Sequence, residues 1–354
     1  MMIKLTKNTI DKNDLQQLAE WIKTNPQLTI GEKTELFEEK FAQWVGSKYS
    51  VFVNSGSSAN LLMIYTLRQL GLLRNEKIIV PAISWATTIS PLIQFGMEPI
   101  ICDIDMNTLG CDIDSLRLIF EHEKPSALIV VNVLGLANDM DKILDLCAEY
   151  NVVCVEDSCE TMGSVYNDKK CGTHGIMGTF SWYMGHIAST IEGGTIVTDN
   201  KDVYNTLKML REHGWTRRLS NDLQKDYKNK NNISDFNDMF TFYVPGFNVR
   251  PTEIQSVLGL QQMKKIDMFC EKRNNNFWKY QDMIKNEYWK PCPVNKFVSN
   301  MGYPIIHPKR RRIIKSLKEN NVEVRPLVCG TMSEQPFVKN ANVKNYDYHG
   351  HLIW

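Results

Sequence analysis

The chain has 354 residues, 43% of them hydrophobic, and its 41 basic and 40 acidic side chains leave a net charge of +1. This length suits two domains, or one large domain with a smaller partner, and the charge balance argues against a binder of nucleic acid or other polyanions, which carries a basic excess. No run is long and apolar enough to span a membrane, and Met1-Met-Ile-Lys-Leu5 lacks the apolar stretch and cleavage site of a secretory leader, so a soluble cytoplasmic protein is expected.

Apolar residues at helical spacing predict helices over 12–24 (Leu15, Leu18, Ile22) and 33–45 (Leu36, Phe37, Phe41, Trp44). A short apolar strand ending at Val53 runs into a small-residue turn and a helix that starts after Gly56. Strand-like runs at 78–80, 99–102, 127–131 and 152–155 then alternate with helices at 86–95, 113–123 and 139–150. The alternation predicts an α/β fold with a mostly parallel central sheet flanked by helices. The polar stretch 220–234, rich in Lys and Asn, reads as a solvated loop. Past residue 260 the pattern gives helices over 261–276 and 278–287 and strands near 302–306 and 322–328. The expected division is a large cofactor-binding domain over 1–250 and a smaller α+β domain over 251–354. Nine cysteines include no Cys-x-x-Cys pair, which fits reduced thiols and predicts no metal site.

Four segments carry candidate chemistry. Asn54-Ser-Gly-Ser-Ser-Ala-Asn60 offers a phosphate the free N–H groups and dipole of a helix start. Gly56 permits close approach and Ser57 and Ser58 add hydroxyls, although alone the turn reads equally as an unliganded cap. Asp157, in Glu156-Asp-Ser-Cys-Glu160, falls at the carboxyl end of a central strand, where open α/β sheets bind ligands, or else caps the next helix. Trp85 offers a flat ring to stack on, or a core residue. Glu192-Gly-Gly194 fits close approach of backbone to a ligand, or a simple turn. Six residues before Glu192 stands His186, whose imidazole suits proton transfer near neutral pH, though a lone histidine is more often structural.

The segment Gly178-Thr-Phe-Ser-Trp-Tyr-Met-Gly-His186, continuing to Thr198, resembles the cofactor-lysine signature of the DegT/DnrJ/EryC1/StrS family of sugar aminotransferases, which use pyridoxal phosphate. In that family a lysine stands six residues before Glu-Gly-Gly. His186 takes the place here, and Lys169, Lys170 and Lys201 are too far along the chain to fill it. The resemblance implies a fold of type I, like aspartate aminotransferase. It implies that Asp157 meets the pyridine nitrogen, Glu160 the ring hydroxyl and Trp85 the ring face. Gly56, Ser57, Ser58 and Ser181 would hold the phosphate, and Asn248, in Gly246-Phe-Asn-Val-Arg250, would reach the phosphate of a neighbouring subunit. Each match is weak alone; their order and spacing over residues 29–255 are specific.

The exchange of Lys for His, with Ala59–Ile64, Val80–Trp85, Glu212–Arg217 and Pro245–Pro251, resembles the branch that dehydrates GDP-4-keto-6-deoxy-D-mannose at C3, on the colitose route to O-antigen. That implies pyridoxal phosphate and pyridoxamine phosphate bound without a covalent link, L-glutamate as co-substrate, and 2-oxoglutarate and ammonia as co-products. It also implies His186 as the acid–base group and a homodimer with shared active sites. His213, Arg217 and Arg250 are candidates for sugar or diphosphate contact, or ordinary surface charges. Cys270, Cys292 and Cys329 do not supply the clustered set that holds an iron–sulfur centre in some sugar 3-dehydratases. The ending, Tyr348 to Trp354, stops where family members continue, so the chain is either truncated or short by nature. Two rival readings stand beside the dehydratase: a sugar 4-aminotransferase whose lysine was replaced, and a non-catalytic ligand-binding relic.

Overall fold

The computed structural model describes residues 2–341 and 343–346; the ending from Tyr348 to Trp354 lies outside the described residues. One sheet dominates. Its strands are β1 (Tyr49–Val53), β2 (Lys77–Pro81), β3 (Glu98–Cys102), β4 (Ala127–Val131), β5 (Val153–Asp157), β8 (Gly178–Ser181), β9 (Gly194–Thr198) and β10 (Lys344–Tyr346), in the order β1-β9-β8-β5-β4-β2-β3-β10. A separate ribbon pairs β6 (Val165–Tyr166) with β7 (Lys169–Lys170). Only β9 runs against its neighbours; every other pairing in the large sheet is parallel. The predicted mostly parallel sheet is present, with strands close to the predicted runs.

Strand side chains alternate between faces. Val80, Ile129, Val131 and Val155 enter one core, while Ile79, Ile100, Leu128, Val130 and Cys154 enter another. Both faces are therefore covered, which explains why these strands read as continuous apolar runs. The covering helices are α3 (Gly56–Gln69), α4 (Ala86–Gln94), α5 (Ile113–Glu123), α6 (Met140–Tyr150) and α7 (Lys201–Arg211), preceded by α1 (Lys12–Ile22) and α2 (Glu32–Val45). Asp11 opens α1 with a capping box and Gly46, at φ 89°, closes α2. A third core packs Phe37 and Phe41 of α2 against Phe52, Phe180 and Trp182. Beside it the buried Arg211 binds Glu38 at 2.5 Å and the Phe52 carbonyl at 2.8 Å. Removing either charge would cost about 3–5 kcal/mol by stranding the other.

The remaining helices are α8 (Asn221–Lys230), α9 (Asp235–Asp238), α10 (Glu253–Met263), α11 (Ile266–Met283), α12 (Arg310–Glu319) and α13 (Pro336–Lys339). Three expectations are corrected here. The supposed loop 220–234 contains α8, which buries no residue and so shows no apolar stripe to a sequence reader. The two helices expected at 261–276 and 278–287 are largely one, α11, which runs unbroken through 277; the break lies at Lys264–Lys265, where α10 ends. No strand forms at 302–306 or 322–328; Pro304 and Pro326 each remove a ladder donor, and the second range makes isolated bridges alone, Val322 to Ile3 and Val328 to Gly330. Late in the chain, β10 adds to β3, and Glu123 accepts from Lys344, Tyr346 and Lys77. Among the described residues no helix is long and apolar enough to cross a membrane.

Candidate active site

The carboxyl ends of the parallel strands gather the predicted groups. Asp157 closes β5 and is 4% exposed. Its Oδ2 accepts from Asn60 Nδ2 at 2.7 Å and from Thr88 Oγ1 at 2.8 Å, and its Oδ1 accepts the Cys159 N–H at 3.2 Å. Asn60 is itself fixed by Thr179 Oγ1, which donates to its Oδ1 at 2.6 Å. Three donors orient the carboxylate and leave lone-pair capacity for one more N–H.

The turn before α3 lies beside it. Ser55 caps the helix: its Oγ accepts the Ser58 N–H at 3.0 Å and its carbonyl takes the Ala59 N–H at 3.0 Å. The N–H groups of Gly56 and Ser57 have no protein acceptor among the described residues, at the positive end of the helix dipole. A Cβ on Gly56 would lie 2.8 Å from Ser181 Cβ and 3.2 Å from Cys159 Sγ, so the turn, β8 and the loop after β5 meet at this glycine. A Cβ on Gly194 would fall 2.2 Å from the Ser55 carbonyl oxygen. The paired glycines are thus required for β9 to pass under the turn. Ser57 Oγ donates to Thr87 Oγ1 at 3.1 Å. The Asn54 N–H donates to the Val249 carbonyl at 3.0 Å, which draws the exposed Asn248 and its neighbour Arg250 alongside.

Glu160 and His186 face this group. Glu160 Oε2 accepts the Leu134 N–H at 3.1 Å, and Oε1 lies 3.6 Å from Arg325 Nη2. Burial pushes its carboxyl up to about 7, against the pull of those two partners. Leu134 sits at φ 52°, a costly conformation for leucine that clusters at functional sites. The His186 imidazole lies against the Cys159 backbone, and its Nδ1 is buried with no hydrogen-bond partner among the described residues. Burial pushes the imidazole down to about 4; Cys159 and Asp157 oppose that fall, while Arg325 and Arg273 reinforce it. The ring is therefore neutral at physiological pH, with a lone pair for a proton.

Trp85 caps α4 and is 50% exposed, so a ring face is open to a ligand. His213 and Arg217 form a group of their own around Trp215, at 4.9 Å and 3.9 Å from that ring's centre. They connect to the rest through the His213 N–H, which donates to the Phe247 carbonyl. Four participants escaped the sequence reading: Asn60, Thr88, Arg273 and Arg325. An asparagine inside the apolar run of α3 was a usable signal for the first; the arginines gave none. Two surface hollows of about 310 and 320 Å³, by Cys147 and by Asp199, lie at the other end of the sheet and carry none of these groups.

Comparison with known proteins places the chain in a family. The model of the DegT/DnrJ/EryC1/StrS aminotransferase family matches residues 8–349. The chain is 37% identical to the GDP-4-keto-6-deoxy-D-mannose 3-dehydratase of Yersinia pseudotuberculosis over 354 residues, covering 97% of this chain and 88% of that protein. It is 38% identical to the enzyme of that name from Escherichia coli over 337 residues, covering 91% and 84%. A crystal structure of GDP-4-keto-6-deoxymannose-3-dehydratase with a trapped PLP-glutamate geminal diamine superposes with a TM-score of 0.86 at 34% identity, covering 99% of this chain and 92% of that one.

Proposed function

The chain belongs to the DegT/DnrJ/EryC1/StrS aminotransferase family, and we propose that it is a pyridoxal-phosphate- and glutamate-dependent 3-dehydratase of a nucleotide-linked 4-keto-6-deoxy sugar, GDP-4-keto-6-deoxy-D-mannose. The observation that carries this is His186: a neutral, enclosed imidazole with an unpartnered Nδ1, at the place where the family has lysine. The relatives at 37% and 38% identity bear the dehydratase name, whereas a transaminase of matching length is 30% identical.

The residues fit the cofactor. The α3 start, Ser57, Ser58 and Ser181 suit a phosphate; Asp157 suits a protonated ring nitrogen; Glu160 suits a ring hydroxyl; and Trp85 suits a ring face. When bound, pyridoxal phosphate supplies an electron-accepting ring through which an amino group is exchanged and the C3 hydroxyl departs. His186 Nδ1 takes the proton from the reacting carbon and, as imidazolium, returns one to the next carbon or to the leaving hydroxyl. Asp157, oriented by Asn60 and Thr88, would pair with the ring nitrogen. Glu160, whose carboxyl burial raises to about 7, would meet the ring hydroxyl and could share a proton with it. Oxidation of L-glutamate to 2-oxoglutarate supplies the two electrons that deoxygenation consumes. With no amine at 186, nothing in the chain links covalently to the cofactor there, and the nitrogen leaves as ammonia.

The same reading makes the active unit a cytoplasmic homodimer serving deoxysugar synthesis of the colitose and O-antigen type. Asn248 would complete the phosphate site of the partner subunit. Phe236, Met239, Phe240 and Phe242 are all more than half exposed, an apolar surface that suits burial against a second copy. His213, Arg217 and Arg250 are assigned to the sugar diphosphate. The test is to incubate the enzyme with pyridoxal phosphate, L-glutamate and GDP-4-keto-6-deoxy-D-mannose. Equal release of ammonia and 2-oxoglutarate with loss of the C3 hydroxyl is expected. A 4-amino sugar as the product would establish the aminotransferase instead.

A further inference from the structure

Helix α11 buries Ile266, Cys270 and Phe277, a stripe that also includes position 273 by its spacing of four, three and four. A hydrophobic side chain is expected there, yet the residue is Arg273. Its Nη2 donates to the His186 carbonyl at 3.4 Å; its Nη1 donates to the carbonyls of Asn300 at 2.9 Å and Met301 at 3.5 Å. Among the described residues no carboxylate pairs with it. Burial lowers its pKa, but a guanidinium remains a cation at neutral pH. A half-buried cation without a counter-ion needs a reason to be there.

The bonds beyond Arg273 supply that reason. The Met301 N–H donates to the Leu134 carbonyl at 3.2 Å, and the Leu134 N–H holds Glu160 at 3.1 Å. The 299–301 segment is seated on the same turn: a Cβ on Gly135 would come 2.7 Å from Asn300 Cα. A single side chain therefore ties the loop of the base to the backbone that fixes the carboxyl across from it. We propose that Arg273 is a positioning residue for the proton-transfer step, holding the His186 loop in register with the backbone that fixes Glu160. The proposal rests on the acid–base role assigned to His186 above. The groups facing that imidazole are Asp157 at the end of β5, the Cys159 backbone from the loop after it, Tyr183 from its own loop, Arg325, and Arg273 from α11. Where the family's lysine is held by the bond it makes, a histidine has only its loop to place it.

The test uses the full chain with Arg273→Met and Arg273→Lys. In cofactor-free protein the His186 imidazole is titrated by NMR, its signal assigned by its loss in His186→Asn. Arg273→Met should raise the midpoint by about half a pH unit or more, because a nearby cation is gone; Arg273→Lys, which keeps charge but not the fork, should restore it. In holoenzyme, conversion of cofactor by L-glutamate, followed by absorbance, should slow at least about tenfold in both variants, with pyridoxal phosphate affinity little changed. An unshifted titration in Arg273→Met, or conversion close to the parent rate in both variants, overturns the proposal. Should Arg273→Met not fold, Arg273→Gln is held to the same criteria. If the parent itself fails to convert with glutamate while the titration shifts, the assigned reaction falls and the role of Arg273 toward His186 stands.

Discussion

Replacing Glu160 by Gln is expected to stabilise the cofactor-free protein at neutral pH. Its carboxyl is 11% exposed, and burial lifts it from 4.5 to about 7. In the unfolded chain the group ionises around 4.5. Between 4.5 and 7 the unfolded state has therefore released a proton that the folded state still holds, and stability falls as pH rises through that window. The full loss is about 3 kcal/mol, at about 1.4 kcal/mol per unit of pKa difference. Glutamine does not titrate and still accepts from the Leu134 N–H. It gives up the 3.6 Å contact with the partly exposed Arg325, worth about 1 kcal/mol at most. The variant should match the parent, or fall slightly below it, near pH 4.5 and exceed it by about 2–3 kcal/mol at pH 8. Urea unfolding at pH 4.5, 6 and 8 on protein stripped of cofactor measures this. A stability difference that does not change with pH, or a Gln variant weaker at pH 8, refutes the reasoning. Turnover should fall in the same variant, a cost in stability retained for function.

His186→Asn should keep the cofactor, which other residues hold, while the glutamate-driven conversion slows about a hundredfold or more; rapid mixing with L-glutamate checks this, and a near-parent rate removes His186 from the mechanism. Borohydride treatment of the pyridoxal form should leave no cofactor attached to the chain, and a lysine adduct in the intact-mass spectrum contradicts the non-covalent assignment. Mixing Asn248→Ala with His186→Asn subunits should restore one working site per mixed dimer; failure of every mixture to recover turnover rules out a shared phosphate site.

Asp157 was legible because an apolar run ends on it, and position at the carboxyl end of a parallel strand is a property of sequence order. Its partners were not. Asn60 and Thr88 reach it from α3 and α4, and nothing local says which turn of a helix faces a strand far away in the chain. The serine turn was legible from composition, whereas the need for Gly194 beneath it appears only once β9 is placed between β1 and β8. Helix α8 was missed because its apolar face is only Leu223 and Tyr227, both half-buried, amid polar residues. The strands expected around Pro304 and Pro326 do not form, since each proline lacks the N–H a ladder needs. Arg273 and Arg325 act on carbonyls and a carboxylate supplied by distant segments, so their chemistry is invisible until the chain is folded.

The pairing of β10 with β3 has a consequence for how the protein is made. The sheet edge at β3 is covered by residues 344–346, and Lys344 and Tyr346 are drawn onto Glu123, whose carboxyl their bonds, with that of Lys77, pull down to about 2. All the other strands precede residue 200, so they have left the ribosome long before this cover exists. Until residue 346 emerges, β3 presents an unpaired row of backbone donors and acceptors, a template to which another nascent chain adds. Polysomes crowded with this message would therefore bring open edges together, and the order of synthesis makes the sheet's margin the last part of it to be protected.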